Sequence, residues 1–212
     1  MEHPPHGGND PGKVGTDGTL EKDINLQIAQ RLKKKLQGEG LEVVLTRESD
    51  RNLAEEGASS QKVSDLKHRV ELIGETDPRL VVSIHQNSYT DASARGAQVF
   101  YYSGSGEGEE LAALLQKHLI ETADPSNTRE AKENASYYML KRTPVVTVIA
   151  ECGFLSNPEE EQLLQEEDYQ EKIAEALCRG VMEYLNLRQD NRETQMEVSP
   201  GQSAPDVYIS RK

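Results

Sequence analysis

The chain has 212 residues, an apolar share of 35% and a formal charge of −13. That length accommodates one α/β domain with a filled core, and the negative balance argues against a nucleic-acid partner, because neutralising phosphates requires a basic surface. No apolar run reaches the ~18–20 residues of a membrane helix, and MEHPPHGG has neither the basic start nor the apolar stretch of a signal peptide.

Residues 1–18 are rich in glycine and proline and read as a loop. Leu20, Ile24, Ile28, Leu32 and Leu36 then recur every four positions, which predicts a helix to about Gln37, ended by Gly38 and Gly40. LEVVLT (41–46) reads as a β-branched strand. Val63, Leu66, Val70 and Ile73 mark a second helix, closed before Asp77-Pro78. RLVVSIH (79–85) is apolar on both faces, as buried parallel strands are. GAQVFYY (96–102) is a third strand, and Leu111, Leu114, Leu115 and Leu119 define a third helix stopped by Asp124-Pro125. Within the mixed stretch 126–143, SYYMLKR reads as a short helical turn, and PVVTVIAE (144–151) as a fourth strand. Asn157-Pro158 followed by three glutamates is a helix start, with Asn as cap and acids at the positive end of the dipole. A last helix is expected over 168–187, and 188–212 as a disordered polar tail.

Strands alternating with helices predict a mixed, largely parallel α/β sheet covered by helices on both faces. Ligands collect at the carboxyl ends of the strands in such sheets. His85 and Glu151 both stand at predicted strand ends. Glu151 is the sharper signal, because an ionisable group closing VVTVIA costs several kcal/mol in the core unless a cation or hydrogen bonds meet it. His6 lies in HGG, where glycines let backbone crowd a site, and Glu21 opens the first helix. Each of the four also has an ordinary structural reading, as a hydrogen-bonded strand-end histidine, a loop histidine or a helix-start acid. Together, two histidines and a carboxylate fill three corners of a tetrahedral zinc and leave the fourth for water. Asn87 and Arg95 flank strand ends and are candidates for substrate contact. Cys152 and Cys178, the only cysteines, form no CxxC pair and read as buried free thiols.

Taken in order, PHGGNDPGKVG, EKDINLQIAQRLKKKL, VVLTRESDRNL, DLKHRVELI, VSIHQNS, RGAQVFYY, NTREAK and AECGFLSNPEEEQLL resemble the zinc-dependent N-acetylmuramoyl-L-alanine amidases of bacterial cell walls. The germination-specific, spore-cortex type is the most similar. The strings span about residues 4–187, so 1–187 is read as the catalytic domain. The resemblance implies a mixed α/β fold with a sheet of five to six strands. It also implies one zinc ion per chain on His6, Glu21 and His85, with Glu151 catalytic. The implied substrate is the amide between the lactyl group of N-acetylmuramic acid and L-alanine in peptidoglycan, cut outside the cytoplasm in wall or cortex. Some such amidases work with a lipoprotein partner.

One departure concerns the amino end. Family members carry an apolar strand running into Asp-Pro-Gly-His-Gly-Gly, whereas this chain has His3-Pro4-Pro5-His6-Gly7-Gly8. Pro5 replaces a glycine, fixing φ near about −65° and removing a donor. The expectation is therefore a domain truncated at its first strand, with His6 on a tethered arm. Two rival readings stand beside the amidase: a catalytically inactive amidase-like module that binds peptidoglycan or a partner, and a zinc peptidase cutting stem-peptide bonds.

Overall fold

The computed structural model describes residues 6–198, with side chains described through residue 189. The helices are α1 (Glu21–Gly38), α2 (Gln61–Thr76), α3 (Gly106–Thr122), α4 (Tyr138–Arg142), α5 (Pro158–Gln165) and α6 (Glu167–Val198). The strands are β1 (Val81–Asn87), β2 (Gln98–Tyr102), β3 (Lys132–Asn134) and β4 (Thr147–Phe154). They form one open sheet in the order β1-β4-β2-β3. β1 runs parallel to β4 and β2 to β3, while β2 and β4 are antiparallel. The sheet is thus mixed and largely parallel.

Alternation along the central strand sorts the helices into two layers, because successive side chains leave a strand on opposite faces. Val148, Ala150 and Cys152 of β4 join Ile28 of α1, Leu111 and Leu115 of α3, and Ile173 and Leu177 of α6 in the main core. Ile149 points the other way, onto Phe100 and Leu140 of α4. Val81 packs beside Leu66, Ile73 and Met139, which brings α2 to that second face. Leu111, Leu115, Ile173 and Leu177 are fully buried, each contributing about 1.5–3 kcal/mol. Both cysteines are buried and free, as expected. No helix of the described residues is long and apolar enough to cross a membrane.

Four expectations change. Residues 41–46 form no strand. Leu41 and Val43 pack inward while Val44 stays 54% exposed, so the alternation is present, but no neighbouring strand meets its backbone donors and acceptors. The short strand β3 lies in the stretch left mixed by the pattern, and the sheet has four strands among the described residues. His85 and Glu151 sit inside their strands rather than at the ends, since β1 continues to Asn87 and β4 to Phe154. The last helix continues past Leu187 to Val198, within the stretch expected to be a disordered tail. A polar sequence needs no apolar stripe to extend a helix already nucleated by packing. Pro5, the expected loss of a preceding strand, and the remainder of the tail fall outside the described residues.

α3 and α6 approach closely at Gly180, where an added Cβ would lie 2.7 Å from Leu115 Cδ2 and 3.0 Å from the Leu115 Cα. Gly74, in α2, has open space around it. Gly74→Ala should therefore raise stability by about 0.5–1 kcal/mol, whereas Gly180→Ala should lower it by about 1–3 kcal/mol despite the same gain in helix propensity. Chemical denaturation of the two variants checks this; a stabilised Gly180→Ala would contradict the packing.

Candidate active site

Glu21 is the first residue of α1, and the preceding loop caps that helix end. The Glu21 N–H donates to the Lys13 carbonyl at 3.0 Å and the Lys22 N–H to the Pro11 carbonyl at 3.1 Å. The side chain turns back over the same loop, where its Oε2 accepts from the Lys13 N–H at 2.8 Å. Its Oε1 accepts from the Gln86 N–H at 3.2 Å and from Asn25 Nδ2 at 3.3 Å. Gln86 in turn donates to Asn25 Oδ1 at 3.1 Å, closing a buried polar ring behind the carboxylate.

Two imidazoles meet this carboxylate from the front. His6 Nε2 lies 3.0 Å from Glu21 Oε2, and His85 Nδ1 lies 3.0 Å from Glu21 Oε1. The remaining nitrogens find partners that orient the rings: His6 Nδ1 is 3.1 Å from Asp10 Oδ2, and His85 Nε2 is 3.1 Å from Ser83 Oγ. Both histidines are 2% exposed and Glu21 is fully buried. The expected tethered arm is thus a pinned one. Gly7 and Asp10 exchange backbone hydrogen bonds, and the Gly8 N–H donates to Asp50 Oδ1 at 2.8 Å.

One donor atom from each of His6, Glu21 and His85 lies within 4.8 Å of the others. Ligands about 2.0–2.2 Å from a tetrahedral metal stand about 3–3.5 Å apart, and each histidine contact to Glu21, at 3.0 Å, falls in that range. Gly12 shapes the pocket, with φ at +75° and space so tight that a Cβ would fall 2.5 Å from His6 Cδ2 and 2.6 Å from Glu21 Oε2. The donor set fits a divalent cation, and its two outer partners, Asp10 and Ser83, are the kind that fix tautomers at metal sites.

Glu151 stands beside this cluster for a topological reason. It is the register partner of His85 across the parallel β1/β4 pair, so both side chains leave the same face. Its Oε2 is sequestered and has no hydrogen-bond partner among the described residues. Burial pushes its carboxyl up to about 7 and the Glu21 charge adds to this, while His85 and Lys13 act in the opposite sense. Glu21 behaves oppositely. Burial alone would raise it, but hydrogen bonds and charge from His6 and His85 hold it well below the ordinary carboxylate range. Two neighbouring carboxyls driven apart in this way can take different parts, one holding a cation and one moving a proton.

The model of the N-acetylmuramoyl-L-alanine amidase family matches residues 3–183. The chain belongs to that family. A germination-specific N-acetylmuramoyl-L-alanine amidase of Bacillus subtilis (strain 168) is 39% identical over 193 residues, covering 90% of this chain and 81% of that protein. Among solved structures, the CwlD amidase of Clostridioides difficile in complex with the GerS lipoprotein matches with a TM-score of 0.83 at 41% identity, covering 86% of this chain and 95% of that one. An amidase of Nostoc punctiforme matches at 0.75 and 30% identity, covering 86% and 94%.

In this family member the structure brings His6, Glu21, His85 and Glu151 together. Asn87 closes β1, where its carbonyl accepts from the Leu155 N–H at 2.9 Å. Arg95 stays half-exposed and turns to Glu159 at 3.4 Å. Missed from sequence were Asp10, Asn25, Ser83 and Gln86, whose partners are set by the fold. Also missed were the duties of two α5 acids. Glu160 accepts from the Gly96 and Phe154 N–H groups at 2.8 Å each, and Glu161 accepts from Thr16 Oγ1 and the Asp17 N–H. A glutamate buried in a first helical turn was legible only as a dipole acid.

The raised carboxyl of Glu151 has a consequence in metal-free protein. The unfolded chain ionises this group near 4.5 and the folded chain near 7, so folding stability falls as pH rises between those values and levels off above them. Glu151→Gln lacks that loss. In chelator-treated protein it should match the parent at pH 4 and exceed it at pH 8, by on the order of 3 kcal/mol. Thermal melts across that range decide; a constant offset would contradict the buried, unpaired carboxyl.

Proposed function

We propose that this chain is a zinc-dependent amidase that hydrolyses the amide between the lactyl group of N-acetylmuramic acid and L-alanine of peptidoglycan stem peptides. The observation that carries the reading is the buried His6–Glu21–His85 cluster with Glu151 in register beside His85. Those three residues would hold one zinc ion per chain, which would supply Lewis acidity toward the amide carbonyl and activate a water molecule. Glu151 accepts a proton from the attacking water and returns it to the alanine nitrogen as the C–N bond breaks. Its desolvated oxygen without a donor is suited to that exchange. Asn87, at the end of β1, and Arg95, in the loop before β2, contact substrate, Arg95 by exchanging an exposed, weakly held Glu159 for the ligand.

The proposed site of action is outside the cytoplasm, in spore cortex during maturation and germination; the Bacillus subtilis relative is named germination-specific, which supports the germination role. The matched CwlD structure is a complex with a lipoprotein, and a lipoprotein partner is proposed here on that ground. Peptidoglycan digestion should create free amino-terminal alanine and free lactyl carboxylates. Glu151→Gln should keep its metal and lose about 10²–10⁴-fold in turnover, whereas His85→Ala should lose metal measured by elemental analysis. Absence of any product would favour the inactive binding module, and other new amino termini a peptidase. Full turnover by Glu151→Gln would remove its proton-transfer role.

A further inference from the structure

Partly buried arginines in this acidic protein are commonly neutralised. Arg69 pairs with Asp65, Arg31 with Glu167 and Glu171, and Arg188 with Glu107 and Glu110. Arg129 forms no ion pair among the described residues. Its Nε donates to the Arg95 carbonyl at 2.6 Å and its Nη1 to Gln98 Oε1 at 3.4 Å, while its plane lies over the Phe154 ring, 4.7 Å from the centroid. The Nη2 edge of the fork donates to nothing among the described residues. A guanidinium braced on three sides and lacking an anion is preorganised for one, because little rotamer freedom is left to lose.

Its place relative to the reacting groups is set by the sheet. Gln98 is the antiparallel register partner of Glu151, and Phe154 follows Glu151 in β4 and pairs with Asn87 beyond His85. Directly opposed residues lie about 4.5–5.5 Å apart, so a fork anchored on Gln98 stands roughly 10 Å from the Glu151 carboxyl. An extended peptide advances about 3.3–3.6 Å per residue. A carboxylate on the residue after the scissile alanine therefore spans that interval. With a chain charge of −13, long-range attraction would not gather an anionic substrate, so a local receptor is required.

We propose that Arg129 receives a substrate carboxylate on the peptide side of the scissile amide, and that it makes the protein select stem peptides with a free acid at the second residue over those with a carboxamide. The proposal takes the substrate class from the amidase reading and adds a specificity determinant to it. Fork-to-carboxylate pairing is charge-assisted and bidentate, and the amide isostere loses both features.

The probes are N-acetylmuramoyl-L-alanyl-D-glutamate and its isoglutamine counterpart, each as the γ-methylamide so that they differ in one group. Calorimetric binding is measured in the metal-loaded Glu151→Gln protein. The free acid should bind at least about tenfold more tightly than the amide. Adding Arg129→Gln should bring the two within about twofold while amide binding stays as before, and Arg129→Lys should restore part of the preference. Equal binding of the two ligands by the Glu151→Gln protein overturns the proposal whether or not the second substitution folds. So does an Arg129→Gln effect of equal size on both ligands, which would mark a role only in holding the 95–98 segment. Selective acid binding with no L-alanyl-D-glutamate γ-methylamide released by the wild type would sink the amidase reading and leave the receptor standing; cleavage without selectivity would do the reverse.

Discussion

The carboxylate of Glu21 is the point on which the site is built. It is fully buried, accepts from two backbone N–H groups and an asparagine amide, and faces an imidazole with each oxygen. Placing it requires the 11–13 loop to cap α1, β1 to present Gln86, and the amino-terminal loop to return over Gly12. A second carboxyl, Glu151, half-buried with its Oε2 sequestered, lies alongside. Two such groups near one another are costly unless a cation is shared. A divalent ion at His6, Glu21 and His85 would balance one charge from Glu21 and one from Glu151.

The surrounding fold serves to hold loops that have no regular structure of their own. Glu161 of α5 gathers Thr16 and Asp17, so the loop reaching Lys13 and Glu21 is fixed from the far side. Gly15 has no room for a side chain against that glutamate. Glu160, one residue earlier, ties the end of β4 to the entry of β2 through Phe154 and Gly96. One short helix thus braces both the loop between His6 and Glu21 and the strand ends that border Glu151. Asn157 caps it through the Glu159 and Glu160 N–H groups, which keeps both acids in place.

Much of this was legible in the residues, and the limits have physical causes. Glu21 stands three residues before Ile24 and seven before Ile28, spacing that puts it on the buried face of α1. The charge of Glu151 within an apolar run was visible as an unsolved energetic problem, and the structure leaves it unsolved by hydrogen bonding. The second-layer partners Asp10, Ser83 and Asn25 were not legible, since ordinary polar residues acquire such roles only through contacts the fold creates. The β-branched run at 41–46 predicts a strand, yet none forms, because a ladder needs a neighbour as well as a suitable sequence. The extended α6 shows the converse, a helix continuing where no periodicity announces it.

The account stands or falls on the coordination of one ion by His6, Glu21 and His85. X-ray absorption at the zinc edge of the loaded full chain tests it most directly. Two imidazole nitrogens and a carboxylate oxygen at about 2.0–2.2 Å, with one further light ligand, are the predicted shell. A shell with sulfur at about 2.3 Å, or with oxygen alone and no imidazole scattering, would contradict it.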